Sequence, residues 1–393
     1  MFNAASVPSS SSSPALPTEF PTGISAAFDG SDRSDADASL AGYGWTAELD
    51  ELFAPLAEAG LVPARIVRID RGRCDAVLVD PAGGGLRTVR ADTRQVGDAD
   101  MINCPCTGDW VAVDLSPGLP MPTVAALLPR STAIIRKVAG KRSDGQVLAA
   151  NVDTVVVAAS LAAEPDLGRI ERFLALAWES GAEPLVVLTK ADLVDDADFI
   201  RADVEAAAPG VTVLVVSAET GEGMDVLRAC TPGTTAVLGQ SGVGKSTLTN
   251  VLAGADVMAV QAARSGDQKG RHTTTTRELV LLPGGGVLID TPGLREVGLY
   301  GGEGVALAFA DIEELAEECR FQDCHHAGEP GCAVRAALED GSLPERRMES
   351  YLKLQRENEW IASRSDARLA AERLKKWKTI TKSMRASGGP VKR

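Results

Sequence analysis

The sequence lacks the features that place a chain in a membrane or outside the cell. No uninterrupted apolar run approaches the roughly 18 residues that a membrane-spanning helix needs, so we expect no membrane contact. No Lys or Arg precedes Arg33, so the basic start of a secretory signal is also missing. These absences predict a cytoplasmic protein.

Basic residues are fewer than acidic ones. The chain has 40 Lys and Arg against 54 Asp and Glu, a formal net charge of -14. Because binding to nucleic acid relies on clustered Lys and Arg, this balance taken alone argues against a nucleic-acid-binding protein. The stretch 373–393 is the exception, since all of its charged residues are basic. It is either a solvated tail or a segment that contacts RNA.

The composition divides the chain into regions of different character. Residues 1–45 are rich in Ser, Pro, Ala and Asp, and we predict disorder because they offer little apolar surface to bury. Residues 60–130 contain short alternating runs bounded by Gly, Pro or Asp, which are typical of a small all-β barrel of the OB type. Residues 148–300 have a β/α pattern, and residues 301–393 combine a cysteine-containing segment with a charged helical region and the basic tail.

Within residues 148–300, near-continuous apolar runs alternate with helical patterns. Strands that are apolar on both faces are typical of a mostly parallel sheet covered by helices, so this region is predicted to be an α/β domain. The apolar runs are 154–159, 184–188, 211–216, 235–238 and 287–290, and the helical patterns are 167–179 and 245–252.

A phosphate-binding loop follows the apolar run 235–238 and opens a helix at Lys245. The motif Gly-x4-Gly-Lys-Ser directs backbone N–H groups and a helix N-terminus at phosphate oxygens. Lys245 is expected to reach the β- and γ-phosphates, and the Ser246 hydroxyl to ligate Mg²⁺. The residues expected to contact the nucleotide here are Gly239, Gln240, Ser241, Gly242, Val243, Gly244, Lys245, Ser246 and Thr247.

Two further segments indicate that the base is guanine. In the sequence Thr189-Lys190-Ala191-Asp192, the Asp192 carboxylate can only accept hydrogen bonds. Guanine offers N1–H and an amine to it, whereas adenine presents an acceptor at N1. Lys190 is expected to lie along the base, and the Ala218 N–H, beside Ser217, to meet the guanine carbonyl. Thr189 stands where Asn is commoner, so the bracing of this loop is expected to differ.

The metal side of the site is predicted at Asp290-Thr291-Pro292-Gly293. Asp290 is expected to hold Mg²⁺ through water, and the Gly293 N–H to contact the γ-phosphate. The next residue is a leucine, which cannot orient the attacking water. His272, in a loop followed by four threonines, is the nearest candidate for that task, and Thr274 the best candidate to complete the Mg²⁺ shell. Taken alone, a histidine in a loop is more often only solvated surface.

The order of these motifs is rotated. The guanine-reading segments at 189–192 and 217–219 precede the phosphate loop, and the metal-side element comes last. An ordinary GTPase has the phosphate loop first. This order predicts a circularly permuted GTPase with a P-loop, which binds GTP and Mg²⁺.

A fourth motif, Cys319-x4-Cys324-x-His326-x5-Cys332, has the composition of a structural zinc site. Three thiolates and one imidazole complete a closed tetrahedral shell for one Zn²⁺. Free or disulfide-bonded cysteines are the alternative, and a chain without a secretion signal makes disulfides the weaker choice. His325 is the less favoured ligand of the two adjacent histidines.

Together these motifs resemble the RsgA (YjeQ) family of small-ribosomal-subunit biogenesis GTPases. The resemblance rests on the permuted order, the sequence GRHTTT at 270–275, the DTPG element at 290–293 and the Cys/His spacing. It implies an OB-fold domain and a zinc-binding domain flanking the GTPase, slow intrinsic hydrolysis stimulated by the small subunit, and release of the factor after hydrolysis. It also implies that His272 is catalytic, alongside the phosphate-contacting Lys245 and Gly293. The expected partner is the small subunit with its rRNA, bound by a monomer.

Two other functions fit parts of the sequence. A P-loop metallochaperone would use the Cys/His cluster to deliver metal, although no His-rich tract is present for loading. A GTP-binding RNA module with little turnover would share the nucleotide motifs but not the stimulated hydrolysis.

Overall fold

The computed structural model describes residues 39–97, 101–137, 145–257, 277–291 and 298–365. The described chain begins with a 3-10 helix at Leu40–Tyr43 and helix α1 at Ala47–Glu58. The Thr46 hydroxyl accepts a hydrogen bond from the Leu49 N–H and caps α1. Leu40 packs in one cluster with Phe53 and with Trp110, a residue of the barrel that follows. Residues 39–45, the end of the stretch 1–45 for which the sequence predicts disorder, are therefore folded, and residues 1–38 lie outside the described residues.

Five strands form a closed barrel. They lie in the order β1-β2-β3-β5-β4, and β1 also pairs with β4, which closes the barrel. Small and branched apolar side chains alternate inward and fill its centre, as a five-stranded barrel of this size requires. The predicted OB-type barrel is confirmed. The strands are β1 Val62–Asp70, β2 Arg73–Val79, β3 Leu86–Asp92, β4 Trp110–Asp114 and β5 Thr123–Leu127.

An antiparallel hairpin joins the barrel to the α/β region. Its strands are β6 Ala133–Lys137 and β7 Gly145–Ala150. Val147 and Ala150 of the hairpin pack on Cys106, in the loop before β4. No pattern in the sequence predicted this hairpin.

The central sheet has the strand order β10-β9-β8-β11-β13-β12. All its pairings are parallel except that of β12 with β13. The chain enters the sheet at β8 and continues to one side through β9 and β10. It then returns to the other side of β8 as β11. The strand order therefore reverses between β8 and β11, and the crevice at their carboxyl ends is a topological switch point. The elements are β8 Thr154–Ser160, α2 Leu167–Glu179, β9 Glu183–Thr189, a 3-10 turn Ala191–Leu193, α3 Ala197–Ala207, β10 Thr212–Val216, α4 Met224–Ala229, β11 Thr234–Gly239, α5 Lys245–Ala253, β12 Glu278–Leu281 and β13 Val287–Asp290.

The barrel and the central sheet are joined edge to edge, because β1 pairs with β12 at Arg68 and Glu278. Arg65 of β1 is buried at this junction and donates hydrogen bonds to the carbonyl of Tyr43, the carbonyl of Asn151 and the hydroxyl of Thr234. Burial lowers the pKa of Arg65 to about 10, an effect that nearby aspartates partly offset. The junction is therefore a polar, hydrogen-bonded contact rather than a flexible linker.

The C-terminal region consists of helices that pack on the central domain. These are α6 Glu303–Ala308, α7 Ala310–Glu317, α8 Ala333–Asp340 and α9 Glu345–Ser365. Phe309, Val334 and Leu354 belong to the same apolar core as Phe173 and Leu174 of α2. Among the described helices, none combines the length and apolarity needed to cross a bilayer.

Candidate nucleotide and metal sites

The phosphate loop lies between β11 and α5, at the switch point of the sheet. At Gly239 a Cβ would lie 2.7 Å from the carbonyl oxygen of Ala158 on the neighbouring strand, so only glycine allows this close approach. Gly244, with φ of 98°, directly precedes α5. The Lys245 ammonium folds back over the loop and donates to the carbonyls of Gly239, at 3.1 Å, and Gln240, at 2.9 Å. The loop thus has the turn and the helix start that phosphate binding requires.

Lys245 and Asp290 are two buried charges beside this loop. Burial lowers the pKa of Lys245 and raises the pKa of Asp290 to about 6, and each charge partly offsets the effect on the other. The Oδ1 atom of Asp290 is buried and has no hydrogen-bond partner among the residues that the structure describes. An unpaired carboxylate oxygen here fits a cation and its water shell, as expected for the metal side of the site. Thr291 is fixed next to it, since its hydroxyl donates to the Val237 carbonyl at 2.5 Å.

The guanine-reading loop contacts the phosphate loop directly. The Thr189 hydroxyl donates to the Val243 carbonyl at 2.5 Å and lies 3.2 Å from the Ala159 carbonyl. Lys190 has a left-handed φ of 63°, and its ammonium donates to the Gly242 carbonyl at 2.8 Å. The two loops are therefore adjacent although about 50 residues separate them in sequence. Thr189 thus connects the two loops through its hydroxyl alone. The commoner asparagine would offer an amide at this position.

Asp192 is held by the second guanine-reading segment. The Ser217 hydroxyl donates to Asp192 Oδ1 at 2.5 Å. Ser217 itself is fully buried and is fixed by its own N–H, which donates to the Glu222 carbonyl, and by the Thr220 N–H, which donates to its hydroxyl. Ala218 follows Ser217 and is half-buried. The structure thus brings Thr189, Lys190, Asp192 and Ser217 together at one end of the phosphate loop.

The remaining nucleotide-site residues are divided between described and undescribed parts of the chain. Ser241 is exposed on the phosphate loop, and Ser246 and Thr247 are half-buried in the first turn of α5. His272, Thr274 and Gly293 lie outside the described residues, so their predicted roles remain predictions. The carbonyls of Gly242 and Val243 accept hydrogen bonds from the guanine-reading loop. These contacts were not predicted, because a backbone acceptor has no sequence signal.

The cysteine and histidine motif forms a compact cluster. The ligand atoms of Cys319, Cys324, His326 and Cys332 all lie within 4.8 Å of one another. The Sγ atoms of Cys319 and Cys332 are 3.8 Å apart, and His326 Nδ1 lies 3.6 Å and 3.4 Å from them. Ligands at about 2.3 Å from a tetrahedral Zn²⁺ would be separated by about 3.8 Å, so the donor set fits that ion. The three cysteines are free thiols, which removes the disulfide alternative.

The surroundings of this cluster favour metal binding by shaping its loop. The Glu329 carboxylate accepts hydrogen bonds from the N–H groups of His325, Ala327 and Gly328. Backbone N–H groups, first that of Glu329 itself and then that of His325, lower the pKa of Glu329 to about 2. Glu329 thus orders the turn between two of the ligands. Glu329 was not predicted to have this role. An acidic residue beside glycines, inside a loop that carries metal ligands, could have indicated a side chain that accepts from backbone N–H groups.

Cys319 follows α7 in the sequence, but its thiol lies beside the first turn of α8. Burial works to raise its pKa, but hydrogen bonds from the N–H groups of Val334 and Ala333 outweigh burial, so the pKa is lowered. The Cys332 sulfur accepts a hydrogen bond from the Arg335 N–H and caps the same helix. Because thiolates are the metal-binding form of cysteine, these N–H groups favour the ligand state.

Comparisons with known proteins agree with this geometry. Residues 127–300 match the family described as RsgA GTPase. The small ribosomal subunit biogenesis GTPase RsgA of Streptomyces coelicolor is 60% identical over 346 residues, covering 87% of this chain and 92% of that protein. The protein of the same name from Opitutus terrae is 43% identical, covering 88% of this chain and 97% of its own length.

Solved structures show the same architecture. The crystal structure of YjeQ from Thermotoga maritima aligns with a TM-score of 0.55 at 25% identity, over 76% of this chain and 98% of that one. YloQ, a circularly permuted GTPase, aligns with a TM-score of 0.52 at 25% identity, over 76% of this chain and 95% of that one. With the rotated motifs assembled around one switch point, these likenesses show that the chain belongs to the RsgA family of circularly permuted GTPases.

Proposed function

We propose that this GTPase binds GTP with Mg²⁺ in the crevice between the phosphate loop and the guanine-reading loop, and that it acts on the small ribosomal subunit. The observation that carries the proposal is the contact between the two loops. Lys190 Nζ lies 2.8 Å from the Gly242 carbonyl and Thr189 Oγ1 lies 2.5 Å from the Val243 carbonyl. A nucleotide whose phosphates occupy one loop then presents its base to the other.

In this proposal the guanine base is read by Asp192, which accepts from the base, and by the N–H of Ala218, which donates to its carbonyl. Ser217 positions Asp192 through the hydrogen bond described above. Lys190 lies along the base plane. The phosphates are bound by the N–H groups of the phosphate loop and by Lys245, whose hydrogen bonds to the loop carbonyls are exchanged for bonds to phosphate oxygens.

Mg²⁺ would be held by the Ser246 hydroxyl, by Asp290 through water and by Thr274. When bound, the ion neutralises charge on the β- and γ-phosphate oxygens. The Gly293 N–H contacts the γ-phosphate, and His272 orients the attacking water. The family resemblance and the absence of a polar side chain at Leu294 support the role of His272.

The zinc cluster is proposed to be structural. The set of four ligands leaves no position for a substrate, and the cluster is packed beside the core that α8 shares with the central domain. We accordingly assign residues 60–130 to an OB-fold domain, 148–300 to the GTPase domain and 301–393 to a zinc-binding domain with its tail. The closed ligand set argues against a metallochaperone, which must release its metal.

The partner is proposed to be the small subunit and its rRNA, bound by a monomer in the cytoplasm during late maturation, with release after hydrolysis. The names of the relatives support the subunit as partner. The charge pattern supports rRNA contact through local patches, since the chain is acidic overall but its stretch 373–393 is wholly basic in its charges.

Turnover with and without small subunits tests this proposal. We expect purified small subunits to accelerate GTP hydrolysis by the wild-type chain. His272→Ala should lose about a hundred-fold or more of the stimulated rate, as expected for a group that directs proton transfer or water, while keeping its affinity for a non-hydrolysable GTP analogue.

His325→Ala is the matched control, because His325 is an exposed histidine outside the nucleotide site. It should behave as wild type. Wild-type turnover that small subunits leave unchanged would contradict the proposed function and favour a GTP-binding RNA module. Stimulated turnover that survives His272→Ala would contradict only the role of that histidine.

A further inference from the structure

The chain that leaves Asp290 is anchored at two described points. At the first, the Thr291 hydroxyl bonds the Val237 carbonyl of β11. At the second, the Lys137 N–H of β6 donates to the Gly298 carbonyl at 3.0 Å, and the two residues form an antiparallel bridge. Only six residues, 292–297, separate the two anchors in sequence. The hairpin β6–β7 therefore fixes one end of the stretch that contains Gly293.

The second anchor is closely packed. A Cβ at Gly298 would lie 3.0 Å from the Cβ of Lys137. Two residues on, the ring of Tyr300 lies against Gly145 of β7, where a Cβ would come within 2.6 Å of the ring. Neither glycine has a left-handed φ, so space rather than backbone conformation requires them. Because the two glycines leave no free space at these contacts, a displacement of the hairpin is expected to move residues 298–300 as well.

The same hairpin contacts the barrel and the C-terminal helix. Ala150 and Ile135 of the hairpin pack in one cluster with Cys106, in the barrel loop before β4. The Lys137 ammonium lies 3.9 Å from the centre of the Trp360 ring in α9. The hairpin thus lies between the barrel, α9 and the chain that follows the metal-side element.

We propose that Lys137 and Gly298 are positioning residues for GTP hydrolysis. Their backbone bridge transmits a displacement of the barrel or hairpin to the chain following Asp290, and so couples a partner held by the barrel to the hydrolysis site. This inference rests on the proposed function, because it explains how the small subunit stimulates turnover. Neither residue touches the nucleotide.

Two substitutions at one position separate the backbone bridge from the side chain. Lys137→Ala removes the ammonium and keeps the N–H, whereas Lys137→Pro removes both. The rate of GTP hydrolysis is measured with and without small subunits, together with the affinity for a non-hydrolysable GTP analogue and for the subunit. We expect Lys137→Pro to lower the stimulated rate about five- to ten-fold relative to Lys137→Ala, the size expected for one backbone hydrogen bond.

Basal rate and both affinities should stay within about two-fold in both variants, which a general loss of structure would not allow. Gly298→Ala, which crowds Lys137, is the second variant and should also lower only the stimulated rate. It replaces Lys137→Pro in the test if the proline variant does not fold. Its matched control is Gly302→Ala, because a Cβ at Gly302 meets nothing within 4 Å.

The outcomes distinguish this inference from the function on which it rests. If small subunits stimulate the wild type, and Lys137→Pro and Gly298→Ala are stimulated equally, the inference is wrong and the function stands. An equal loss of stimulated rate in Lys137→Ala and Lys137→Pro would also overturn the inference, because the loss would then come from the ammonium and not from the backbone bridge. If the wild type is not stimulated, the proposed function fails and the inference fails with it.

Discussion

At the scale of single residues, the guanine-reading carboxylate is already oriented by its neighbours. Asp192 is exposed, but the Ser217 hydroxyl, itself buried, fixes one of its oxygens. In the proposed function, the other oxygen accepts a hydrogen bond from the base. The sequence predicted both residues, because each belongs to a motif that follows a recognisable strand.

Replacing Asp192 by asparagine should change the base preference. An amide can donate as well as accept, so Asp192→Asn is expected to bind xanthosine triphosphate, whose C2 carbonyl accepts, better than GTP. We expect a loss of GTP affinity of at least ten-fold and a matching gain for the xanthine nucleotide, measured by equilibrium titration. Asp195→Asn, at an exposed neighbouring position, makes the same charge change and should leave the preference unaltered. A variant that still prefers GTP would show that Asp192 does not read the base.

Asp290 should make the stability of the nucleotide-free and metal-free protein depend on pH. Its pKa is raised by burial to about 6, above the 3.8 of an exposed aspartate, so the folded state binds a proton that the unfolded state has lost. Stability therefore falls as pH rises from about 4 to about 6, by up to about 3 kcal/mol, and is level above that range.

Asp290→Asn removes this cost and should be more stable than wild type above pH 6, with the difference vanishing near pH 4. Chemical unfolding at a series of pH values in the presence of a chelator measures it. A difference that does not change between pH 4 and pH 7 would mean that Asp290 is not desolvated.

At the scale of elements, the loop between α7 and α8 is expected to depend on a bound metal. The four candidate ligands and the Glu329 turn lie in this loop, and all three thiols belong to or pack against the same core as α8. We expect about one zinc per chain by metal analysis, and a lower unfolding temperature after strong chelation or in Cys332→Ser.

Cys230→Ser is the control for the loss of a thiol, because Cys230 is half-buried and lies outside the cluster. It should keep the metal. Zinc that exchanges readily at mild chelator concentrations, without loss of stability, would instead support metal delivery.

Helices α2, α7 and α9 are joined by a buried ionic network. Arg347 is 1% exposed and donates to Asp311 on α7 and to Glu171 on α2, which is fully buried. Arg346 also donates to Glu171. Removing Arg347 takes one of two arginine partners from the buried Glu171 and leaves Asp311 without its arginine, and breaking a buried pair costs far more than the intact pair contributes to stability.

Arg347→Met is accordingly expected to destabilise the protein by about 3 to 5 kcal/mol in chemical unfolding. The control is Arg335→Met, which breaks an exposed pair with Glu339 and should cost less than about 1 kcal/mol. Equal effects of the two variants would show that the network contributes little.

The sequence predicted the elements with strong periodicity and missed the others for identifiable reasons. Helix α2 was predicted with its observed ends, and the strands β8, β9, β10, β11 and β13 were confirmed. Helix α1 was missed because it carries Pro55 inside, which normally ends a helix. Strand β12 has only four residues, and the hairpin β6–β7 gains its order from packing on the barrel and on residues 298–300, neighbours that no local pattern records.

At the scale of the whole molecule, the charged residues are unevenly distributed along the chain. The chain has a net charge of -14, yet the stretch 373–393 contains eight Lys and Arg and no acidic residue. If this stretch binds rRNA, its Lys and Arg displace counterions from the phosphates, and affinity becomes steeply dependent on salt.

Truncation after residue 372 should therefore weaken binding to small subunits and reduce its salt dependence. The log–log slope should fall by about 0.7 to 0.9 for each phosphate that the stretch neutralises in the full chain. Basal GTP hydrolysis should not change. Removal of residues 1–38, which carry few basic residues, serves as the control. A slope that survives truncation would identify the stretch as a solvated tail and shift the rRNA-binding surface to the folded domains.

The pairing of Arg68 with Glu278 makes one eleven-stranded sheet out of two folding units. Separating them would uncover the edges of β1 and β12 and leave the Arg65 guanidinium without the Asn151 carbonyl and the Thr234 hydroxyl. Any partner that binds the barrel is therefore joined to the nucleotide site through paired backbone and buried polar contacts, not through a tether.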